Sequence, residues 1–194
     1  MRIIGITGGV GSGKSKVLSH LNKKYNAAIC QADEIAWKFQ EPDQDACFEI
    51  VKYFGTCILN EDKTINRKKL GKIVFSDFEK MNVLNQIIHP RVKEYIKNKI
   101  EQEKEKGTKV FIIEAALLLE DNYDEICTEL WYIFVNESER RDRLKKSRGY
   151  SDEKIDSIIK SQLSEDEFRK RCDVTVDNSG YFSFTCEQIK EIMA

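Results

Sequence analysis

Apolar positions in this chain fall into five short runs, separated by longer polar stretches with helical spacing. The runs are Arg2 to Thr7 (R-I-I-G-I-T), Ala27 to Ala32 (A-A-I-C-Q-A), Lys109 to Ile113 (K-V-F-I-I), Leu130 to Val135 (L-W-Y-I-F-V) and Asp173 to Asp177 (D-V-T-V-D). Each has strand length, and the central ones are apolar without alternation. Strands that do not alternate are buried on both faces, as in a parallel sheet covered by helices. Between the first two, Lys16 to Tyr25 places Val17, Leu18 and Leu21 on one helical face. A last helix is expected from about Thr185 to Met193. Strands alternating with helices predict the α/β class.

The second interval, from Glu34 to about Lys106, is helical and polar. Ile35, Phe39, Phe48, Ile50, Val51 and Phe54 recur at spacings near three and four, and Gly55 breaks that run. Asn60-Glu61-Asp62-Lys63 reads as a turn. A helix restarts over Asn66 to Phe75 with Leu70, Ile73 and Val74 inward, and Ser76-Asp77 caps another through Met81, Leu84, Ile87 and Ile88. Pro90 disfavours helical geometry at His89, so the reading puts a helix end or kink there and a new helix from Pro90 onward. The charged run Glu101 to Lys106 is a solvated helix end.

Composition narrows the classes. The 194 residues are 41% hydrophobic, enough for one domain with insertions around a proper core. The net charge of −1 offers no bulk basic field for nucleic acid. No apolar run is long enough to span a membrane, and the N-terminus shows no signal pattern. Cys30, Cys47, Cys57, Cys127, Cys172 and Cys186 have no C-x-x-C spacing. They are expected as reduced, mostly packed thiols in a cytoplasmic protein.

Chemistry enters at Gly8-Gly9-Val10-Gly11-Ser12-Gly13-Lys14-Ser15, which fits G-x-x-x-x-G-K-[ST]. A strand precedes it and a helix follows, the context in which such a loop cradles phosphates. The turn's N–H groups and the helix N-terminus point at phosphate oxygens, Lys14 reaches the β- and γ-phosphates, and the Ser15 hydroxyl ligates Mg²⁺. The motif therefore predicts that a nucleoside triphosphate is held. Asp33, the first carboxylate after the second strand, stands where sites form in open α/β sheets, and it also suits a helix N-cap. His89 and Arg91 at the expected helix junction could bind an anion, or be structural.

Between strands four and five the chain is densely basic. At 100° per residue, Arg140, Arg143 and Ser147 share one helical stripe, and Arg141, Lys145 and Arg148 the next. Two such stripes suit a lid closing over phosphates; a solvated helix with pairs such as Glu139–Arg143 is the alternative. A GTPase needs a base-reading N-K-x-D after a late strand. The nearest string, Asn98-Lys99-Ile100-Glu101, ends in Glu inside a helix, so that class is set aside. A helical insert after strand two and an Arg-rich insert after strand four suit a small-molecule kinase, one holding the acceptor and the other the lid.

With these residues in place, the chain resembles the dephospho-CoA kinase family. The likeness runs through I-T-G-G-V-G-S-G-K-S (Ile6 to Ser15), A-D-E-I-A (Ala32 to Ala36), Phe54-Gly55, Ile58-Leu59 and I-V-F (Ile73 to Phe75). It continues through L-N-x-I-I-H-P-x-V (Leu84 to Val92), L-L-L-E (Leu117 to Glu120), Arg143-Leu144, Gln162 and V-D-N-S-G (Val176 to Gly180). The resemblance implies a three-layer P-loop kinase fold with a five-stranded parallel sheet. Residues 1–33, 107–138 and 172–194 would form the nucleotide-binding core, 34–106 the acceptor insert and 139–171 the lid.

The activity it implies is transfer of the γ-phosphate of ATP, with Mg²⁺, to the ribose 3′-hydroxyl of dephospho-CoA. Lys14, Asp33 and Arg143 would be catalytic, Asp33 as the base. ATP would be held by Gly9, Val10, Gly11, Ser12, Gly13, Lys14, Ser15, Lys16 and Asn178, the last near the adenine. The acceptor would meet Asp33, His89, Arg91, Glu114 and Leu117, with Arg140 and Arg148 in the lid. The chain would act as a monomer or weak homo-oligomer. Another P-loop nucleoside or nucleotide kinase, or a catalytically weakened nucleotide-binding relative, are the alternatives.

The chain departs from the family pattern in places. Gln31 stands where a first acid is usual, Trp37 where an Arg is common and Lys16 where a Thr is common. Glu114-Ala115-Ala116-Leu117 lacks the usual proline, and Ser147 replaces a lid arginine, with Arg148 one residue on.

Overall fold

The structure, a computed structural model, describes residues 1–115 and 118–194. Ala116 and Leu117, the latter an expected acceptor contact, lie outside the described residues. The chain alternates β1 (Arg2–Thr7), α1 (Lys14–Tyr25), β2 (Ala28–Gln31), α2 (Ala32–Lys38), α3 (Asp45–Phe54), α4 (Arg67–Phe75), α5 (Phe78–Glu105), β3 (Val110–Glu114), β4 (Glu129–Phe134), α6 (Glu137–Arg148), α7 (Asp152–Lys160), α8 (Glu165–Arg171), β5 (Val174–Asp177) and α9 (Phe182–Ile192). The five strands form one sheet in the order β2-β3-β1-β4-β5.

β1 is central and pairs in parallel with β3 and β4, and β4 in turn with β5. A strand flanked on both sides and covered on both faces has no solvent side, which is why R-I-I-G-I-T does not alternate. The register sets Ile6 opposite Glu114 and Phe134 opposite Asp177. The C-terminal ends of β1, β3, β4 and β5 therefore finish on one edge, the edge where open α/β sheets bind ligands.

Contacts divide the chain into two compact units, Met1–Cys30 with Gln102–Ala194, and Gln31–Glu101. The first is built on the sheet. Ile4, Ile6, Val17, Leu21, Trp131, Ile133, Val176 and Ile189 are buried in its core. Each such side chain contributes about 1.5–3 kcal/mol relative to exposure. The buried Trp131 indole donates to Glu129 Oε2 at 3.0 Å, and Glu129 also receives Arg2 Nε at 2.7 Å and Nη2 at 3.0 Å. That fork draws the Glu129 carboxyl below its ordinary range.

The second unit is helical. Ala46, Cys47 and Ile50 are buried on α3, and Leu70 and Val74 on α4. Two of its helices start on side-chain caps. Asn66 accepts from the Lys69 N–H at 3.0 Å, and Asp77 from the N–H groups of Glu79 and Lys80 at 3.1 and 3.2 Å. The turn at 60–63 forms as its residues predict, with Lys63 left-handed and an antiparallel bridge between Leu59 and Ile65.

Two local expectations fail here. Pro90 neither ends nor starts a helix: α5 runs unbroken from Phe78 to Glu105 with the proline inside. Proline removes one helical hydrogen bond and crowds the preceding turn. The bond it removes would have reached the Gln86 carbonyl; at the next carbonyl, that of Ile87, Arg91 Nη1 donates at 2.5 Å. Phe48 is 63% exposed rather than packed. With Ala46, Cys47 and Ile50 inward, position 48 falls some 200° from position 46, on the outer side of α3.

Candidate active site

The loop from Gly8 to Gly13 leaves the end of β1 and turns directly into α1. Gly8 has φ +147°, and a Cβ there would lie 2.6 Å from the Ile133 carbonyl oxygen of β4. Gly13 is left-handed at the N-cap of α1, and a Cβ would meet the Asn178 side chain at 2.4 Å. The sequence thus keeps glycine where the loop passes closest to its neighbours and must change hand. Gly13 supplies no capping side chain, so the first N–H groups of α1 stay available to an anion. Thr7 Oγ1, before the loop, and Ser12 Oγ, within it, are buried without a hydrogen-bond partner among the described residues. An orphaned buried hydroxyl costs about 1–3 kcal/mol, a cost retained at binding loops.

Lys14 opens α1 and folds back over the loop. Its Nζ donates to the Gly8 carbonyl at 2.8 Å and lies 3.9 Å from Glu114 Oε1. Glu114 ends β3 and is 9% exposed. The parallel pairing with β1 delivers it beside the loop. Ser15, next in the first turn of α1, is exposed. The Ser15 hydroxyl and the Glu114 carboxylate are hard oxygen donors of the type Mg²⁺ takes together with phosphate oxygens.

The basic stripe of α6 reaches the same loop. Arg140 Nε donates to the Val10 carbonyl at 2.7 Å, and its Nη2 to Gln162 Oε1. The same Gln162 oxygen accepts the Val10 N–H at 3.2 Å, so Arg140 and Gln162 hold one loop residue by both backbone groups. The Arg140 guanidinium is packed so closely over Gly9 that a Cβ there would sit 2.5 Å from its Cζ. Burial lowers the Arg140 pKa from its ordinary value. Arg143 Nη2 donates to Glu139 Oε1 at 2.7 Å and to the Asn178 carbonyl at 2.8 Å, and its Nη1 makes a long 3.5 Å contact to the Ser12 carbonyl.

The neighbouring stripe faces elsewhere. Arg141 pairs with Glu137 at 2.8 Å and Asp156 at 2.5 Å, and Lys145 with Asp152 at 2.7 Å. Arg148 is exposed, with its Cζ 5.9 Å from the Tyr150 ring centroid. The Glu139–Arg143 pair forms, and Arg140 and Arg143 lie on the phosphate loop.

Asn178, which follows β5, is buried. Its Nδ2 donates to the Ser12 carbonyl at 2.7 Å, and its Oδ1 accepts from Thr185 at 3.0 Å. Next to the loop, Gly13, Lys16, Arg143, Asn178, Gly180 and Phe182 line a cavity of about 270 Å³. Lys16 Nζ stands 4.2 Å over the Phe182 ring.

In the helical unit, Asp33 and Glu34 occupy the first turn of α2, where acids complement the helix dipole. Asp33 is exposed. The structure separates His89 from Arg91. His89 lines a cavity with Asn82, Asn85, Gln86, Pro90 and Lys93, while Arg91 lines another with Phe39, Gln44, Asp45, Glu94, Tyr95 and Asn98. Two residues at adjacent-but-one positions point some 200° apart on a helix.

Three contributors carry no sequence signal of their own. Gln162 enters the sequence reading only as a matched position, and Glu139 only as an intrahelical partner. Yet Gln162 holds Val10, and Glu139 accepts both Arg143 and the Gly180 N–H, the latter at 2.8 Å. Thr185, which orients Asn178, reads merely as the start of a helix; that helix begins earlier, at Phe182.

A family model described as CoaE: Dephospho-CoA kinase matches residues 2–183. A dephospho-CoA kinase of Carboxydothermus hydrogenoformans is 39% identical over 191 residues, covering 98% of this chain and 92% of that protein. One of Listeria innocua is 37% identical over 188 residues, covering 97% and 94%. The solved structure of a dephospho-CoA kinase from Campylobacter jejuni matches with a TM-score of 0.73 at 25% identity, covering 100% of this chain and 96% of that one. A shikimate kinase structure from Bacteroides thetaiotaomicron shares the fold, with a TM-score of 0.54 at 14% identity over 99% and 98% of the two chains. With a family model spanning nearly its whole length and relatives this similar, the chain belongs to the dephospho-CoA kinase family.

Proposed function

We propose that this protein transfers the γ-phosphate of ATP to the ribose 3′-hydroxyl of dephospho-CoA, giving coenzyme A and ADP. The observation that carries the reading is the convergence on one loop. Arg140 and Arg143 of α6 donate to the carbonyls of Val10 and Ser12, and Lys14 stands between Gly8 and Glu114. A kinase has little covalent chemistry to perform; it positions two substrates and neutralises the charge that develops on the transferred group.

In this account Gly9 to Lys16 wrap the triphosphate, with backbone N–H groups on its oxygens. Lys14 leaves the Gly8 carbonyl for the β- and γ-phosphates. Arg143, beside Gly13, stabilises the equatorial oxygens as the bond to ADP loosens. Ser15, with Glu114 nearby, would hold Mg²⁺, whose positive charge would offset that of the phosphates. Asp33 accepts the proton of the 3′-hydroxyl and orients its lone pair toward the γ-phosphorus. His89 contacts the acceptor. Asn178 and Lys16 line the cavity beside the loop and contact the nucleoside end of ATP. Arg140 and Gln162 fix the loop's shape, and the helices from α6 to α8 shield the reacting groups from water. All six cysteines are thiols, in keeping with a reducing, cytoplasmic setting.

The test is an acceptor panel. The protein is incubated with ATP, Mg²⁺ and, separately, dephospho-CoA, adenosine, AMP and shikimate, and products are resolved by mass spectrometry. Phosphorylation of dephospho-CoA alone supports the reading. A preferred nucleoside or nucleotide acceptor, or no product while both substrates bind, refutes it.

A further inference from the structure

We propose that Glu139 is a positioning residue for the transfer reaction: its carboxylate, fixed on the turn after β5, holds the Arg143 guanidinium where it meets the transferred phosphate. This assignment rests on the role given to Arg143 above.

Glu139 and Arg143 stand one turn apart on α6, and an i,i+4 acid–base pair is by itself an ordinary surface contact. The second oxygen sets this pair apart. Oε1 accepts from Arg143 Nη2 at 2.7 Å, while Oε2 accepts the N–H of Gly180, 41 residues away, at 2.8 Å. The same turn meets α6 twice more. The Asn136 N–H donates to Ser179 Oγ at 3.0 Å, and Arg143 Nη2 donates to the Asn178 carbonyl at 2.8 Å. Positions 136, 139 and 143 follow the spacing of one helix face, and each engages the segment 178–180. Glu139 is therefore tied to backbone at one oxygen and to the arginine at the other. It is the one carboxylate among the described residues that pairs with Arg143.

The guanidinium divides its work accordingly. Both N–H groups of Nη2 are taken by Glu139 and the Asn178 carbonyl. Nη1 makes only the long 3.5 Å contact to the Ser12 carbonyl, and a Cβ on Gly13 would lie 3.3 Å from it. One nitrogen is the anchor, and the other faces the phosphate loop. An arginine side chain is rich in rotamers. Ordering it before ATP arrives removes that cost from the transition state, where a small misplacement of charge is expensive.

The experiment uses the full chain and two readouts. Glu139 is partly exposed, so Glu139→Ala and Glu139→Gln should both fold. In kinetics with ATP, Mg²⁺ and dephospho-CoA, Glu139→Ala is expected to lower kcat about 10- to 100-fold. KM for ATP should stay within about threefold of wild type, because Asn178 keeps its own bonds to Ser12 and Thr185. Glu139→Gln retains one acceptor oxygen of the two and should fall between. In an Arg143→Ala background, Glu139→Ala should change kcat by no more than about twofold, since the carboxylate acts through the arginine. The second readout is nitrogen-15 NMR of the arginine side chains, with Arg143 assigned by the signal that Arg143→Ala removes. Its guanidinium protons should be resolved in wild type and averaged by rotation in Glu139→Ala.

Wild-type protein that makes coenzyme A, with kcat unchanged in Glu139→Ala, overturns the assignment and leaves the functional reading intact. An equal loss with and without Arg143 marks a merely structural role and also overturns it, as does an Arg143 still restrained in Glu139→Ala. A wild type that makes no coenzyme A, with Arg143 freed in Glu139→Ala, supports the positioning and refutes the function.

Discussion

Asn178 joins the phosphate loop to the far edge of the sheet, and its removal should loosen both. The residue is 4% exposed. Asn178→Ala deletes the 2.7 Å bond to the Ser12 carbonyl and the 3.0 Å bond from Thr185. Thr185 keeps a second acceptor, the Asp177 carbonyl at 3.2 Å, so its loss is the ordinary worth of one hydrogen bond, about 1 kcal/mol. Among the described residues the Ser12 carbonyl then keeps only the 3.5 Å contact to Arg143, which adds about 1–2 kcal/mol of poorly satisfied buried acceptor. The total is about 2–3 kcal/mol, or a fall of about 5–10 °C in Tm for a chain of this size.

Asn178→Asp should be worse at neutral pH, because it sets a carboxylate oxygen against the Ser12 carbonyl. The introduced carboxyl would be protonated more readily in the folded state than in the unfolded one. Its penalty therefore shrinks as pH falls, because the folded form then takes up the proton it needs. Differential scanning calorimetry at pH 7.5 and pH 5.5 reads both effects, and isothermal titration with ATP reads the loop. If both variants melt within about 1 °C of wild type at pH 7.5, Asn178 does not brace the loop and the reasoning fails.

Other outcomes follow from the same contacts. Gly9→Ala should fold normally but displace Arg140 from Val10 and weaken ATP binding, because the added Cβ meets the end of a flexible side chain. Gly8→Ala, at φ +147° with its Cβ 2.6 Å from a backbone oxygen, should lose about 2 kcal/mol or more of stability; thermal melts of the two variants side by side check the contrast. Asp33→Asn should slow transfer about 100- to 10,000-fold and leave the Kd for ATP nearly unchanged, as measured by rapid quench and titration; undiminished turnover would remove Asp33 from the mechanism. Burial pushes the Cys127 thiol up to about 12 from its ordinary 9.0. The folded state thus retains a proton that the unfolded state loses, so this stabilisation is complete below pH 9 and declines as pH rises from about 9 toward 12. Tm measured from pH 8 to 10.5 should fall less steeply in Cys127→Ala than in wild type.

The sheet was legible because burial on both faces leaves its mark in composition. β1, β3 and β4 lie within one residue of the apolar runs that announce them. The phosphate loop was legible because its glycines and lysine answer a local geometric demand within eight residues. Pro90 misleads because its local sterics act only on the preceding turn, whereas the turns on either side carry α5 through it. The supports of the loop were harder to see. Gln162 and Asn178 act on residues about 150 or more positions away, and a hydrogen bond to a backbone carbonyl asks only for a donor at the right place. His89 and Arg91 look like a pair in sequence, but helical rotation assigns them to different cavities.

The most direct test of the account is where the phosphate goes. Phosphorus NMR of protein incubated with ATP, Mg²⁺ and dephospho-CoA should show one new phosphomonoester resonance, coupled to the ribose H3′ proton, growing as ADP appears. A resonance coupled to H2′, or ATP consumed with inorganic phosphate as the only other product, would contradict directed transfer to the 3′-hydroxyl.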